Sequence, residues 1–244
     1  MDRRAFIKIG GALTIGTVLG QGFQFYQAVA DSKGEKTSAL AKNKWGMLID
    51  LNKCDAGCTA CVDACRKENN VPLFGDKERD IHWIRKASVK QKFPNAREQS
   101  VPLLCNHCEN PACVQVCPTM ASFVRKDGIV LVDKHRCIGC RYCMIACPYK
   151  ARSFVFKETH DWTNKDVPKR MHGVVEKCDL CVHRIDKGQK PACVEACANA
   201  NNGAMVFGDL NDPESGISKL IANNAVQQIR ADLGLKPKVY YIGM

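Results

Sequence analysis

Sixteen cysteines in a chain of 244 residues fall into four groups. The first is Cys54, Cys58, Cys61 and Cys65, and the second is Cys105, Cys108, Cys113 and Cys117. The third is Cys137, Cys140, Cys143 and Cys147, and the fourth is Cys178, Cys181, Cys193 and Cys197. The third group says most about chemistry. It reads C-x2-C-x2-C-x3-C and is followed by Pro148, a run that binds iron–sulfur clusters. Three thiolates so closely spaced can wrap one cubane and take three of its corners. The fourth, with a proline after it, starts a departing segment and reaches a neighbouring cluster. A ligand that leaves its own loop implies a second cluster close by.

Two other uses of cysteine compete with this one. An exported protein could pair its cysteines as disulfides, but triplets at x2 spacing make poor disulfide frameworks. Zinc also takes paired C-x2-C elements, yet a triplet is surplus to a site built from two pairs. The formal net charge is +11, which raises the question of nucleic-acid binding. Clusters give a different account. An oxidised 4Fe–4S core with four thiolates carries about −2, so four sites bring about −8. Residues 1–30 contribute +2, leaving +9 for the rest. The basic composition is then mostly counter-charge, and no nucleic acid is needed to explain it.

The elements that position the cysteines can be read in outline. Residues 1–30 open with Asp2-Arg3-Arg4-Ala5-Phe6-Ile7-Lys8, resembling a twin-arginine export motif. An uncharged stretch from Ile9 to Ala30 ends at Ala28-Val29-Ala30, a plausible cleavage point. A retained membrane helix is the alternative, but Gln21, Gln24, Gln27 and the glycines from Gly10 to Gly22 make it a poor anchor. Residues 31–44 read as a Lys-rich linker, and residues 45–244 as the cluster domain. Trp45–Leu51 is a strand expectation. Ser122-Phe123-Val124 and Ile129-Val130-Leu131-Val132 flank Gly128 and predict a hairpin. Ile217, Leu220, Ile221, Ala225, Ile229 and Leu233 recur at helical spacing and predict a helix from Gly216 to Leu233. Residues 66–104 carry Arg85, Lys86, Lys90, Lys92 and Arg97, a run read as a solvated face. Residues 149–177, with His160, Trp162 and His172, cover the core or meet a partner.

The groups also repeat. The first and third are tight triplets with an outlying cysteine. The second and fourth share Pro-Ala-Cys-Val, at Pro111–Val114 and Pro191–Val194. Two copies of a two-cluster unit are the natural reading. The expected fold is α+β, with tandem bacterial-ferredoxin-like units, interleaved cluster ligands, two insertions and a C-terminal helix. No nucleophile–base set, phosphate loop or HExxH pattern is present, so no catalytic residue is expected. His107 and His135 read as packing or hydrogen-bonding residues, His107 also placed to influence its flanking ligands.

These residues together resemble the four-cluster ferredoxin subunits of membrane-bound oxidoreductases, the polysulfide, tetrathionate, nitrite and dimethyl sulfoxide reductase group. The stretches that carry the resemblance are Cys105-Asn106-His107-Cys108-Glu109-Asn110-Pro111-Ala112-Cys113, Phe207–Pro213 and Lys236–Tyr241. The export motif and Arg170–Cys178 point, within the group, to the iron–sulfur subunit of DsrMKJOP-type complexes of sulfur metabolism. The resemblance implies a ligand exchange between groups. Cys54, Cys58, Cys61 and Cys197 would hold one 4Fe–4S cluster, and Cys178, Cys181, Cys193 and Cys65 the next. Cys105, Cys108, Cys113 and Cys147 would hold a third, and Cys137, Cys140, Cys143 and Cys117 the fourth. A central unit, residues 100–150, would then lie within an outer unit made of residues 45–66 and 174–210. Two departures stand out. Cys54 to Cys58 is x3 rather than x2, and neither Cys65 nor Cys197 precedes proline. If any site falls short of a full cubane, it is the first.

The implied role is a non-catalytic electron-transfer subunit at the outer, periplasmic face of the cytoplasmic membrane. The implied partners are an NrfD-like quinone-reactive membrane subunit, a multihaem cytochrome c and further redox subunits. An exported molybdopterin reductase subunit is the nearest alternative, and a zinc-binding interaction module the alternative of another class.

Overall fold

A four-stranded sheet closes the molecule by bringing the two ends of the cluster domain together. The computed structural model describes residues 43–76, 78–90, 98–160, 162–200 and 203–244. The leader and nearly all of the linker lie outside the described residues, as do Lys92 and Arg97. Strand β1 (Trp45–Asp50) has Met47, Leu48 and Ile49 all buried. A strand covered on both faces reads as a continuous apolar run rather than an alternating one, which is how this stretch reads. It pairs parallel with β10 (Val239–Ile242), Met47 opposite Val239, and antiparallel with β8 (Met205–Asp209), Leu48 opposite Val206. The short strand β9 (Val226–Gln227) completes the order β8-β1-β10-β9. All four cysteine groups lie in the crossover between β1 and β10.

Three two-stranded ribbons frame the cysteine loops. Strands β2 (Ile84–Lys90) and β3 (Glu98–Leu104) form one. The Tyr241 hydroxyl donates to Pro102 O at 3.0 Å, tying this ribbon to the sheet. Strands β4 (Ser122–Val124) and β5 (Val130–Val132) form the hairpin around Gly128, whose φ of +79° suits a glycine turn. Strands β6 (Ser153–Phe154) and β7 (Val175–Glu176) close the stretch that contains residues 149–177. Arg85 and Lys86 do not belong to a solvated face. Arg85 donates to Tyr149 O at 2.8 Å, and Lys86 turns onto the first cysteine loop. Residues 163–170 cover the core, because Asn164 N donates to Asn70 Oδ1 at 2.9 Å and Arg170 Nε to Asn69 O at 2.6 Å.

The helices are short and most carry cysteines: α1 (Ala60–Asn69), α2 (Ala112–Gln115), α3 (Tyr142–Ile145), α4 (Val182–Ile185) and α5 (Ala192–Asn199). The repeated Pro-Ala-Cys-Val has a structural meaning. Pro111 and Pro191 each stand just before a helix, where a fixed φ costs nothing and delivers the next cysteine to the first turn. Helices α3 and α4 each follow a left-handed residue, Arg141 and Cys181, which turns the chain sharply between two thiols. Helix α1 packs against α5, and α2 against α3. Among the described residues no helix is long and apolar enough to cross a membrane.

The expected C-terminal helix is only half as long as its periodicity suggested. Helix α6 spans Gly216–Asn223, capped by Ser215, whose hydroxyl accepts from Ser218 N. Asn224 is extended, and the chain passes into β9 and a 3-10 turn at Ala231–Leu233. Pairing with the edge of β10 wins over local helical spacing. Only Ile217 of the apolar series is fully buried. It lies against Gly208, where an added Cβ would fall 2.8 Å from its Cγ2. Ile217→Ala should cost about 2–4 kcal/mol and lower the thermal unfolding midpoint, while Leu220→Ala, at a position 37% exposed, should cost under ~1 kcal/mol. Equal shifts in the two variants would contradict the packing.

Candidate iron–sulfur centres

The fold gathers the sixteen cysteines, none of them in a disulfide, into four sets. Cys54, Cys58, Cys61 and Cys197 ring one recess, with Lys86 beside them. Cys117, Cys137, Cys140 and Cys143 ring another. Cys65 has Cys178, Cys193 and Cys181 as electrostatic neighbours, and Cys108 has Cys105, Cys113 and Cys147. Each set therefore mixes thiols from two groups distant in sequence. Helix packing is the cause, since α1 against α5 and α2 against α3 carry the long-range partners.

The sets form a row of electrostatic neighbours. Cys61 of the first set is an electrostatic neighbour of Cys193 of the second. Cys178 of the second is a neighbour of Cys105 of the third. Cys113 of the third and Cys143 of the fourth share one cation, Arg152. Burial changes along the row. The second set is wholly buried, whereas Cys140 in the fourth is exposed.

The thiols fit a polynuclear cluster rather than a single ion. Zinc bound at about 2.3 Å draws its sulfurs to within roughly 4 Å of one another. Among the described residues no three His, Cys, Asp or Glu side chains converge in that way; the thiols of the first and fourth sets line small recesses instead. Charge gives a second test. Arg152, Lys177 and Lys238 are each at most 5% exposed. Their hydrogen bonds run to a hydroxyl, a thiol and backbone carbonyls. Buried cations need compensating negative charge, and sites of about −2 each would supply it.

The same desolvation acts on the thiols. Burial, then the neighbouring thiols, pushes Cys65 and Cys178 well above the ordinary range. Cys61 and Cys181 rise to about 11 and Cys108 to about 12, in each case first through burial. Cys117 goes the other way. Burial opposes its ionisation, but donation from Ser122 N at 3.4 Å and from Thr119 outweighs it.

Comparison with known proteins agrees with this chemistry. Residues 97–210 match the 4Fe-4S dicluster domain. The chain is 46% identical to the Hdr-like menaquinol oxidoreductase iron-sulfur subunit 1 of Archaeoglobus fulgidus over 265 aligned positions, covering 99% of this chain and 97% of the relative. It is 36% identical to a tetrathionate reductase subunit of Salmonella typhimurium, covering 100% and 88% respectively. A polysulfide reductase component of Wolinella succinogenes is 38% identical, over 82% of this chain and 94% of the relative. The chain belongs to this family of oxidoreductase iron–sulfur subunits.

In an iron–sulfur subunit the residues around the thiols matter as much as the thiols. Three of them escaped sequence reasoning. Lys86, from β2, donates to the carbonyls of Asp55, Ala56 and Cys58 at 2.6, 3.3 and 2.6 Å. It thereby clamps the first loop, the one with an extra residue between Cys54 and Cys58. Asn69, fully buried, donates to Cys181 Sγ at 3.4 Å and to Cys65 Sγ at 3.8 Å. Arg152 donates to Cys113 Sγ at 3.1 Å and to Ser122 Oγ at 2.9 Å. Hydrogen bonds to sulfur and nearby cations are the levers that set cluster potential. No spacing rule in the sequence flags these residues.

His107 is buried in a left-handed conformation, and its Nδ1 accepts from Val130 N at 3.1 Å. Burial, then Lys177, Lys238 and Arg152, holds its pKa well below the usual range, so the ring is neutral. His135 is exposed. A cavity of about 600 Å³ is lined by Phe123, Leu131, Val167–Met171 and Glu176. At its wall, Glu176 is buried and pairs with Lys134 at 3.0 Å and Arg170 at 3.6 Å. Arg170 in turn lies 4.5 Å from the Trp83 ring centre. The Arg170–Cys178 stretch is thus partly a buried ion cluster that anchors the approach to the second set.

Arg152→Gln should lower the reduction potentials of the third and fourth sites by roughly 50–100 mV, because a nearby cation favours the reduced, more negative state. Arg152→Lys should recover most of the shift. Redox titration followed by EPR reads this out, and unchanged potentials in Arg152→Gln would remove Arg152 from the account.

Proposed function

We propose that this chain is the electron-transfer subunit of a membrane-bound respiratory oxidoreductase, and that its four cysteine sets hold four 4Fe–4S clusters. The observation that carries the reading is the row itself, four sets in which each has a neighbour within reach. When bound, each cluster supplies a one-electron redox centre that changes charge with little movement of its cage. The protein's part is to hold the cluster, keep water away and balance charge. Cys54, Cys58, Cys61 and Cys197 hold the first, with Lys86 fixing their loop. Cys65, Cys178, Cys181 and Cys193 hold the second, with Asn69 donating to two sulfurs. Cys105, Cys108, Cys113 and Cys147 hold the third. Cys117, Cys137, Cys140 and Cys143 hold the fourth, and Arg152 stands between the last two. The sets form a tandem pair of ferredoxin-like units, the central one nested in the outer one.

The relative in Archaeoglobus fulgidus is named for a menaquinol oxidoreductase, which supports a quinone-reactive membrane subunit of the NrfD type as one neighbour. Further redox subunits, a multihaem cytochrome c among them, are the other neighbours in a DsrMKJOP-like assembly of sulfur metabolism. The twin-arginine-like start supports folding with clusters before export and residence at the periplasmic face. Attachment to the membrane is then through partners. A second reading, the corresponding subunit of an exported molybdopterin reductase, is supported by 36% identity with the tetrathionate reductase subunit along the whole chain.

Protein purified without oxygen should contain about sixteen iron atoms and as much acid-labile sulfide. In its native membranes, a menaquinol analogue should bleach the brown cluster absorption. Cys147→Ala should damage the site held by Cys105, Cys108 and Cys113 and leave the adjacent Cys137 site in place. A colourless protein with stoichiometric zinc, or loss confined to the Cys137 site, would contradict the assignment.

A further inference from the structure

The two ends of the row present opposite surfaces. At the first set the exposed side chains are Asn52, Lys53, Asp55 and Thr59, with nothing more apolar among them than Ala56. At the fourth set they are large and apolar: Ile145 is 82% exposed, Met120 75%, Ile138 67% and Tyr142 60%. Ile138 sits between two cysteines of that set, and Met120 is three residues from a third. Ile138 lines the recess that the four thiols surround, with Thr119 and Ala121, and Met120, Tyr142 and Ile145 each stand within three residues of a cysteine of that set, so the four make an apolar collar around one centre. Cys140, within the collar, is the most open of the sixteen cysteines and the one classed as exposed. Scattered single apolar residues on a surface are ordinary, but a contiguous group around a functional centre marks a contact.

Charge narrows the occupant. Residues 110–126 and 134–157, which build this end, contain no Asp or Glu. Arg141 and Lys150 are exposed there, and Arg136, also exposed, pairs with Asp133 at 3.7 Å. An apolar centre inside a mainly cationic surround, with Asp133 already paired to Arg136, fits a surface with an apolar centre and a carboxylate rim.

Resting on the electron-transfer reading above, we propose that this collar is an electron port: the docking face for a redox subunit of the same complex, one whose contact surface is apolar at its centre and acidic at its rim. Docking there would exclude water from the one open cysteine set. It would also bring a partner's redox centre to the end of the row without any movement of the fold. The polar surface at the first set suits a different, wetter contact.

The test uses the complete complex in native membranes. Ile145→Glu combined with Met120→Glu places two carboxylates on the collar at exposed positions that bind no iron, and Leu73→Glu, 54% exposed, is the control at a site outside it. Iron content and the EPR signal of reduced clusters should match wild type in both. In the collar variant either menaquinol-driven bleaching of the clusters or their subsequent reoxidation should slow at least tenfold. In the control both should stay within twofold, and Ile145→Leu should behave as wild type. Both rates unchanged in the collar variant, with clusters intact, would overturn the proposal. Flotation of the purified chain with phosphatidylglycerol vesicles, lost in the collar variant, would overturn it in favour of a lipid contact. Failure of wild-type clusters to respond to menaquinol would instead count against the electron-transfer reading itself.

Discussion

The structure depends on how negative charge is kept stable away from water. Sixteen thiols are drawn into a small volume, and burial drives Cys61, Cys65, Cys108, Cys178 and Cys181 towards their neutral form. Metal binding displaces those protons and holds the sulfurs as thiolates, so cluster assembly is coupled to folding. The cost of the remaining charge is met by cations placed inside. Arg152, Lys177 and Lys238 are buried where an ordinary core would carry leucine or valine. Part of the positive charge is in this sense internal, a counterpart of the clusters.

That constraint also shapes the topology. If each cysteine group closed on itself, the chain would be four beads with nothing to fix their spacing. The fold instead brings each group's outlying thiol to another group's triplet, through packing of α1 on α5 and α2 on α3. Parallel pairing of β1 with β10 then ties the ends. The spacing between neighbouring sets follows from short helices and tight turns, several of them at left-handed residues. Gly139 shows how little slack there is: a Cβ at this position would lie 2.3 Å from Gly173 O.

The cysteine groups, their chemistry and the family were legible because metal loops impose short, fixed spacings on the sequence. The strand at Trp45 and the hairpin around Gly128 were legible for a similar reason, since each is a local pattern with a local cause. The helix expected to run to Leu233 was overcalled because apolar spacing continues past Asn224 while the backbone turns to meet β10. Lys86, Asn69 and Arg152 were invisible. Each acts on a sulfur or a loop brought to it by tertiary folding, from as far as 112 residues away in the case of Asn69 and Cys181. Lys86 in particular had the look of a surface charge until its loop was in place.

The central claim is a row of four polynuclear centres, each gripped by thiols from two cysteine groups. Anomalous diffraction at the iron edge, from crystals of anaerobically prepared protein, tests it most directly. The account requires four separate iron groups of four atoms, lying in the order of the first to the fourth set. Cys197 must ligate the group that Cys54, Cys58 and Cys61 hold. Single-metal peaks, fewer iron groups, or groups whose four ligands all come from one stretch of sequence would contradict it.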